Sequence, residues 1–129
     1  MTDIQCGKEG RVVDAGRAFR RYAAFGFDRR SLEVFEAYEA IRGSCRDREA
    51  ALDMLAVYDT LRLLRATGQN ECADAVKVVY FTASGRRPRR NDITYRVRRH
   101  AYEQSFDERT VYRRLSHAKE LYMKLRYEI

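Results

Sequence analysis

The stretch 107–126, DERTVYRRLSHAKELYMKLR, decides the fold class. Val111, Leu115, Ala118, Tyr122 and Leu125 recur in it at steps of four, three, four and three. That spacing draws one apolar stripe along an α-helix. Arg109, Arg113 and Ser116 project the other way, flanked by Tyr112 and His117. Asp107 can cap the first turn, and Glu108 sets a negative charge at the positive end of the helix dipole.

Working outward, 91–104 also reads as a helix, capped by Asn91 or Asp92. Ile93, Val97 and Ala101 are four apart and face the core, with Arg96, Arg98, Arg99 and His100 off that stripe. Ser105 and Phe106 form the tight turn between the two helices. Before them stands ASGRRPRRND, where Gly85 and Pro88 break the chain's helical pattern. Arg86, Arg87, Arg89 and Arg90 surround Pro88, four arginines in five positions. Such a run is either a solvated loop or a phosphate clamp. Its place directly ahead of two basic helices favours the clamp.

The N-terminal half reads as three helices, with a fourth leading into the loop. The first spans about Glu9 to Phe25, with Val12, Val13, Ala15, Phe19, Tyr22 and Ala23 inward and Gly26 as its stop. Asp28 or Ser31 caps the second, which turns Leu32, Phe35, Tyr38 and Ile41 to one side and ends at Gly43 and Ser44. The third runs from Arg46 or Asp47 to Thr67. Ala50, Met54, Val57, Leu61 and Leu64 form its stripe, widened by Leu52, Leu55 and Tyr58. A helix apolar over so much of its girth is expected at the centre. Gly68 ends it. Asn70 caps the fourth, 71–82, with Ala73, Val76, Val79 and Tyr80 inward. The expected architecture is all-α, about six helices. It divides softly into an N-terminal helical part, 1–68, and a C-terminal helix-turn-helix unit, 69–129.

The composition agrees. In 129 residues there are one proline and seven glycines, and 45% are apolar, which suits a helical chain with one modest core. Lys and Arg number 26 against 19 Asp and Glu, a net charge of +7. Arg dominates the surplus, and its planar fork matches phosphate and guanine edges. Cys6, Cys45 and Cys72 lack metal-ligand spacing and read as buried small apolar residues or idle surface groups. With no apolar run of membrane-spanning length and no signal peptide, the expected location is a reduced cytoplasm, with no membrane contact.

Enzymatic signals are missing. His100 and His117 have no Cys or carboxylate at metal or triad spacing, and no glycine-rich phosphate loop occurs. Glu33, Glu36 and Glu39 read as a solvated helix flank. No enzyme, metal or cofactor is expected. The run YRVRRHAY, 95–102, interleaves Tyr with Arg. Stacking on single-stranded bases is one use for it; buried or half-buried tyrosine is the commoner outcome and the expectation here.

The pattern A-x5-D-E-R-T-V-Y-R-R-L-x-x-A, from Ala101 to Ala118, resembles the helix-turn-helix of region four of bacterial sigma factors. It is more similar still to small phage regulators of late transcription of the ArpU and RinA type. The resemblance covers about 70–126. It implies DNA binding through the second helix, with Arg109, Thr110, Arg113 and Arg114 near DNA and Val111, Leu115 and Ala118 in the core.

Geometry refines those roles. Arg109, Tyr112, Arg113 and Ser116 are the candidates for base contact in the major groove. Arg86, Arg87, Arg89, Arg90, Arg114 and His117 are the candidates for phosphate contact, and the resemblance adds Thr110 to them. Arg114 lies close enough to the stripe to pair instead with an acidic residue at the core edge. Leu121, Tyr122, Met123, Leu125, Tyr127 and Ile129 exceed what one stripe needs, so the tail either packs on the first three helices or forms a homodimer contact. The expected function is sequence-specific binding of double-stranded DNA by a phage or prophage transcription regulator. The alternative is a phage-encoded protein-binding module that grips host RNA polymerase or a CRISPR-type defence nucleoprotein. The N-terminal half, unexplained by DNA binding, motivates that alternative.

Overall fold

In a computed structural model, residues 14–29, 32–81 and 90–128 are described. Among them are six α-helices and no strand: α1 Ala15–Phe25, α2 Val34–Ser44, α3 Arg48–Ala66, α4 Asn70–Tyr80, α5 Arg90–Gln104 and α6 Glu108–Tyr127. One 3-10 turn, Phe27–Arg29, follows α1. The all-α class is as the periodicity required.

Helix α3 is central and touches α1, α2, α4 and α6. It buries Ala50, Met54, Val57 and Leu64 from the expected stripe, with Ala56 and Thr60 beside them. The Thr60 hydroxyl is satisfied within the helix, donating to the Ala56 carbonyl at 2.7 Å. Phe19 of α1 is wholly buried, its ring edge-on to Tyr80 of α4 at 5.4 Å and to Tyr122 of α6 at 5.9 Å. Such edge-to-face contacts add to the stabilisation from area burial alone. Helix α1 approaches α4 closely at Gly16: a Cβ there would meet the Tyr80 hydroxyl at 3.0 Å, tight enough that the ring would have to shift by a few tenths of an ångström.

An acid lies inside this apolar frame. Asp53 of α3 is 3% exposed. Arg126 of α6 donates to it at 2.7 Å through Nε, and through Nη2 to Glu49 at 2.6 Å. The Tyr122 hydroxyl donates to Asp53 at 3.4 Å, and Arg21 of α1 stands 3.8 Å away. Burial opposes the Arg126 charge, but its bonds to Asp53 and Glu49 prevail and hold it more firmly protonated than usual. Burial first, and the Asp53 charge second, push the Tyr122 phenol far above its ordinary range. The cluster ties three helices together by charge within a mostly apolar core. Of the two readings of the C-terminal tail, this side-chain network favours packing on the N-terminal helices.

Several local expectations are corrected. Helix α1 begins at Ala15, because Asp14 is its cap and accepts from the Gly16 N–H at 3.0 Å. Residues 9–13, expected helical, lie outside the described residues. On α2, Phe35 is 74% exposed, whereas Ala37 and Ile41 are buried; Leu32, ahead of the helix, also faces solvent. The reason is geometric. Steps of three lag 60° behind a full turn, so from Phe35 to Ile41 the supposed stripe drifts by about 120° around the helix, and Leu32 precedes the helix altogether. Phe27, carried inward by the 3-10 turn and 5% exposed, fills the core beside Tyr22 instead. The cap of α2 is Glu33, whose N–H donates to Glu36 at 3.2 Å, rather than Asp28; Ser31 lies outside the described residues. Gln69 precedes α4, and Asn70 is its first helical residue. Likewise Asn91 and Asp92 lie within α5, Arg90–Gln104, and do not cap it. No helix of the described residues is long and apolar enough to cross a membrane.

Candidate nucleic-acid interface

Helix α6 starts where its sequence says it should. Asp107 is the N-cap, its carboxylate accepting from the Arg109 N–H at 2.9 Å. The backbone N–H of Arg109, and then its guanidinium at 3.2 Å, hold the Asp107 carboxyl below the usual carboxylate range. The turn before it closes α5 with two bonds. The Phe106 N–H reaches the Ala101 carbonyl at 2.8 Å and the Ser105 N–H reaches Tyr102 at 3.2 Å. Ser105 sits at φ 60°, the left-handed conformation this closure requires. Phe106 is half-buried against the core and lies edge-on to His100, ring centres 6.3 Å apart.

Val111, Leu115, Ala118 and Tyr122 are buried in α6. At 100° per residue, Arg109, Tyr112, Arg113 and Ser116 then share a sector of roughly 100° on the opposite side. All four are exposed, the Arg109 side chain at 87%. Its bond to Asp107 is therefore a surface pair, which contributes little and exchanges readily for another anion. The exposed Glu120 stands on the same sector one turn further on and ends the basic run there.

The expected phosphate contacts fare unevenly. His117 is exposed at the rim and Thr110 is half-buried. Arg114 is half-buried, its guanidinium 4.4 Å over the Phe106 ring, a cation–π cover for the turn. Arg86, Arg87 and Arg89 lie outside the described residues, and Arg90 opens α5. On α5, Arg96 is drawn into the fold, donating to the Val79 carbonyl at 3.0 Å. His100, 9% exposed, belongs to the core.

Two features escaped the reading of residues. The first is the exposure of Tyr95 and Tyr102, 62% and 86%, against the expectation that these tyrosines would be buried. Their spacing of seven, opposite Val97 and Ala101, was the available signal. The second is how charge divides along the chain. Residues 1–81 hold 13 Lys plus Arg and 13 Asp plus Glu, whereas 82–129 hold 13 against 6. The entire +7 belongs to the C-terminal segment. Among the described residues no group of three or more His, Cys, Asp or Glu is placed to hold a metal. Burial pushes the Cys45 and Cys72 thiols up, away from the reactive thiolate. Comparison with family models, curated proteins and solved structures finds no match for this chain.

Proposed function

We propose that this chain binds double-stranded DNA in a sequence-specific way, as a small transcription regulator of phage or prophage type. The observation that carries the reading is the coincidence of charge and geometry. All of the surplus positive charge lies in 82–129, and α6 there turns Arg109, Tyr112, Arg113 and Ser116 outward opposite a buried stripe. In this reading the first half of α6 enters the major groove. Arg109 and Arg113 contact base edges, each bidentate Arg–guanine pair contributing ~1–3 kcal/mol of discrimination. Tyr112 and Ser116 complete the face. Arg86, Arg87, Arg89 and Arg90, with Thr110 and His117 at the rim, grip phosphate and give affinity that falls steeply with salt. Arg114 is better accounted for as the cover of Phe106 than as a phosphate ligand. The resemblance to sigma region four and to the ArpU and RinA regulators points the same way.

The test begins with a duplex selected from a randomised pool by the wild-type protein. Mobility-shift titration then compares wild type with Arg109→Ala/Arg113→Ala. We expect the double variant to bind the selected duplex at least about tenfold more weakly and to lose its preference over random DNA. Equal binding by both proteins would remove α6 from the groove.

A second reading rests on the neutral N-terminal segment and on Phe35, exposed on α2 beside Leu32 and Val34. That apolar face could grip host RNA polymerase or a CRISPR-type defence effector while α6 serves autoregulation. A stoichiometric partner retained from nuclease-treated host lysate, and lost on Phe35→Ser, would favour it.

A further inference from the structure

The outer face of α5 is not used by the groove reading. Tyr95, Arg98, Arg99 and Tyr102 stand at positions i, i+3, i+4 and i+7 and share a sector of about 100°. Val97 and Ala101, both buried, fix the helix from the opposite side. The two tyrosines form the middle of the outer sector, 62% and 86% exposed, with one arginine to either side. They lie two turns apart, about 10 Å along the axis. The Arg98 and Arg99 side chains are 68% and 62% exposed. Arg98 stands 3.8 Å from Glu108, and Arg99 donates to Glu103 at 3.0 Å. Exposed pairs of this kind hold the guanidiniums in place without committing them, since a phosphate can replace the carboxylate at little cost.

We infer that this face binds single-stranded nucleic acid, with unpaired bases stacked on Tyr95 and Tyr102 and the backbone phosphates against Arg98 and Arg99. Charge complementarity selects this occupant: the rings stand among guanidiniums, in the segment that carries the whole +7. Every base has a π-face, so such a platform is tolerant of sequence. The sequence-reading sector of α6 and the stacking sector of α5 use different residues on two helices joined by the Ser105–Phe106 turn. A duplex on one and a displaced strand on the other is the arrangement a protein acting at opened DNA would use. The inference rests on the nucleic-acid reading of the C-terminal segment but uses separate residues, so the two can fail separately.

The test uses the full chain and two labelled probes followed by anisotropy: a thymidine oligomer of about 15 nucleotides and a duplex of equal length. Tyr95→Ala and Tyr102→Ala are each expected to weaken binding of the oligomer about fivefold or more while leaving the duplex within about twofold. Tyr95→Phe/Tyr102→Phe, which keeps both rings, retains the wild-type affinity. Because both tyrosines are exposed, the Ala variants keep the helical circular dichroism of the wild type. Wild-type protein that binds the duplex but not the oligomer overturns this inference alone, and protein that binds neither the oligomer nor the selected duplex overturns the groove reading with it. Ala variants that hold the oligomer as tightly as wild type overturn the inference alone. So does a Phe pair that fails as the Ala variants do, because the contact would then belong to the hydroxyls. Self-association of the protein without nucleic acid, abolished by Tyr102→Ala while oligomer affinity stays unchanged, would make the face a contact between copies and overturn the inference as well.

Discussion

Asp53 shows how a single residue can fix the relation between helices. Its carboxylate is nearly sealed from water, and water's place is taken by the Arg126 guanidinium, the Tyr122 hydroxyl and, at longer range, Arg21. A buried pair of this kind adds little net stability over an apolar equivalent, but removing one partner strands the other charge. Arg126→Ala is therefore expected to cost about 3 kcal/mol and to lower Tm by about 10 °C. Chemical denaturation with and without the substitution measures it. A loss below ~1 kcal/mol would mean that water reaches Asp53 and that the pair behaves as a surface one. The double variant Asp53→Leu/Arg126→Met should recover most of the loss, because it removes both charges while keeping volume. The position of Asp53 was legible as a puzzle: an acid beside Met54 and between Ala50 and Val57, on the helix face most densely apolar. Its partner was not, because Arg126 is 73 residues away and periodicity carries no information about which helices meet.

Among the elements, those with a capping residue and a clean stripe could be read directly, and those without could not. Asp47 and Asp107 stop the chain from coiling one residue too early, and Gly26 and Gly68 take the positive φ that ends α1 and α3. The start of α2 was misread because its apolar residues recur at threes, and a step of three alone does not define a face. The turn into α6 has the opposite character: its chemistry is unfavourable and the fold imposes it. Ser105 occupies the left-handed region at φ 60°, where glycine is at ease and other residues are strained. Ser105→Gly should relieve that strain. Part of the gain is offset by the extra freedom of glycine in the unfolded chain, leaving about 0.5 kcal/mol of added stability. Ser105→Val, with a branched Cβ at the same φ, should destabilise by about 1 kcal/mol or more. Equilibrium unfolding of the two variants gives both signs at once. If glycine destabilises, the Ser105 side chain itself must contribute to the turn, beyond the backbone bonds from Phe106 and Ser105.

At the scale of the whole molecule, charge and packing divide the chain differently. Charge separates a neutral segment, 1–81, from a basic one, 82–129. Packing does not follow that boundary: one buried cluster runs from Ala15 through Met54 and Val76 to Leu115 and Tyr122. The outward residues of α6 were legible because their direction follows from the stripe behind them. The half-burial of Arg96 was not, since its bond to the Val79 carbonyl depends on where α4 lies relative to α5. The consequence for stability is that the proposed reading helix packs directly on the N-terminal helices. Phe19 offers the sharpest probe, because its ring touches both Tyr80 and Tyr122. Phe19→Leu keeps the site apolar but leaves the two tyrosines without an edge to meet, at an expected cost of about 1–2 kcal/mol. If the chain unfolds as one cooperative unit, that cost reaches α6, and the slowest-exchanging amides of Leu115 and Ala118 should exchange about tenfold faster in the variant. If 1–68 and 69–129 open independently, acceleration stays within α1 and α3 and the α6 amides keep their wild-type rates. Native-state hydrogen exchange on the two proteins distinguishes these outcomes residue by residue. The shared cluster, and the Asp53–Arg126 bond across it, argue for the first.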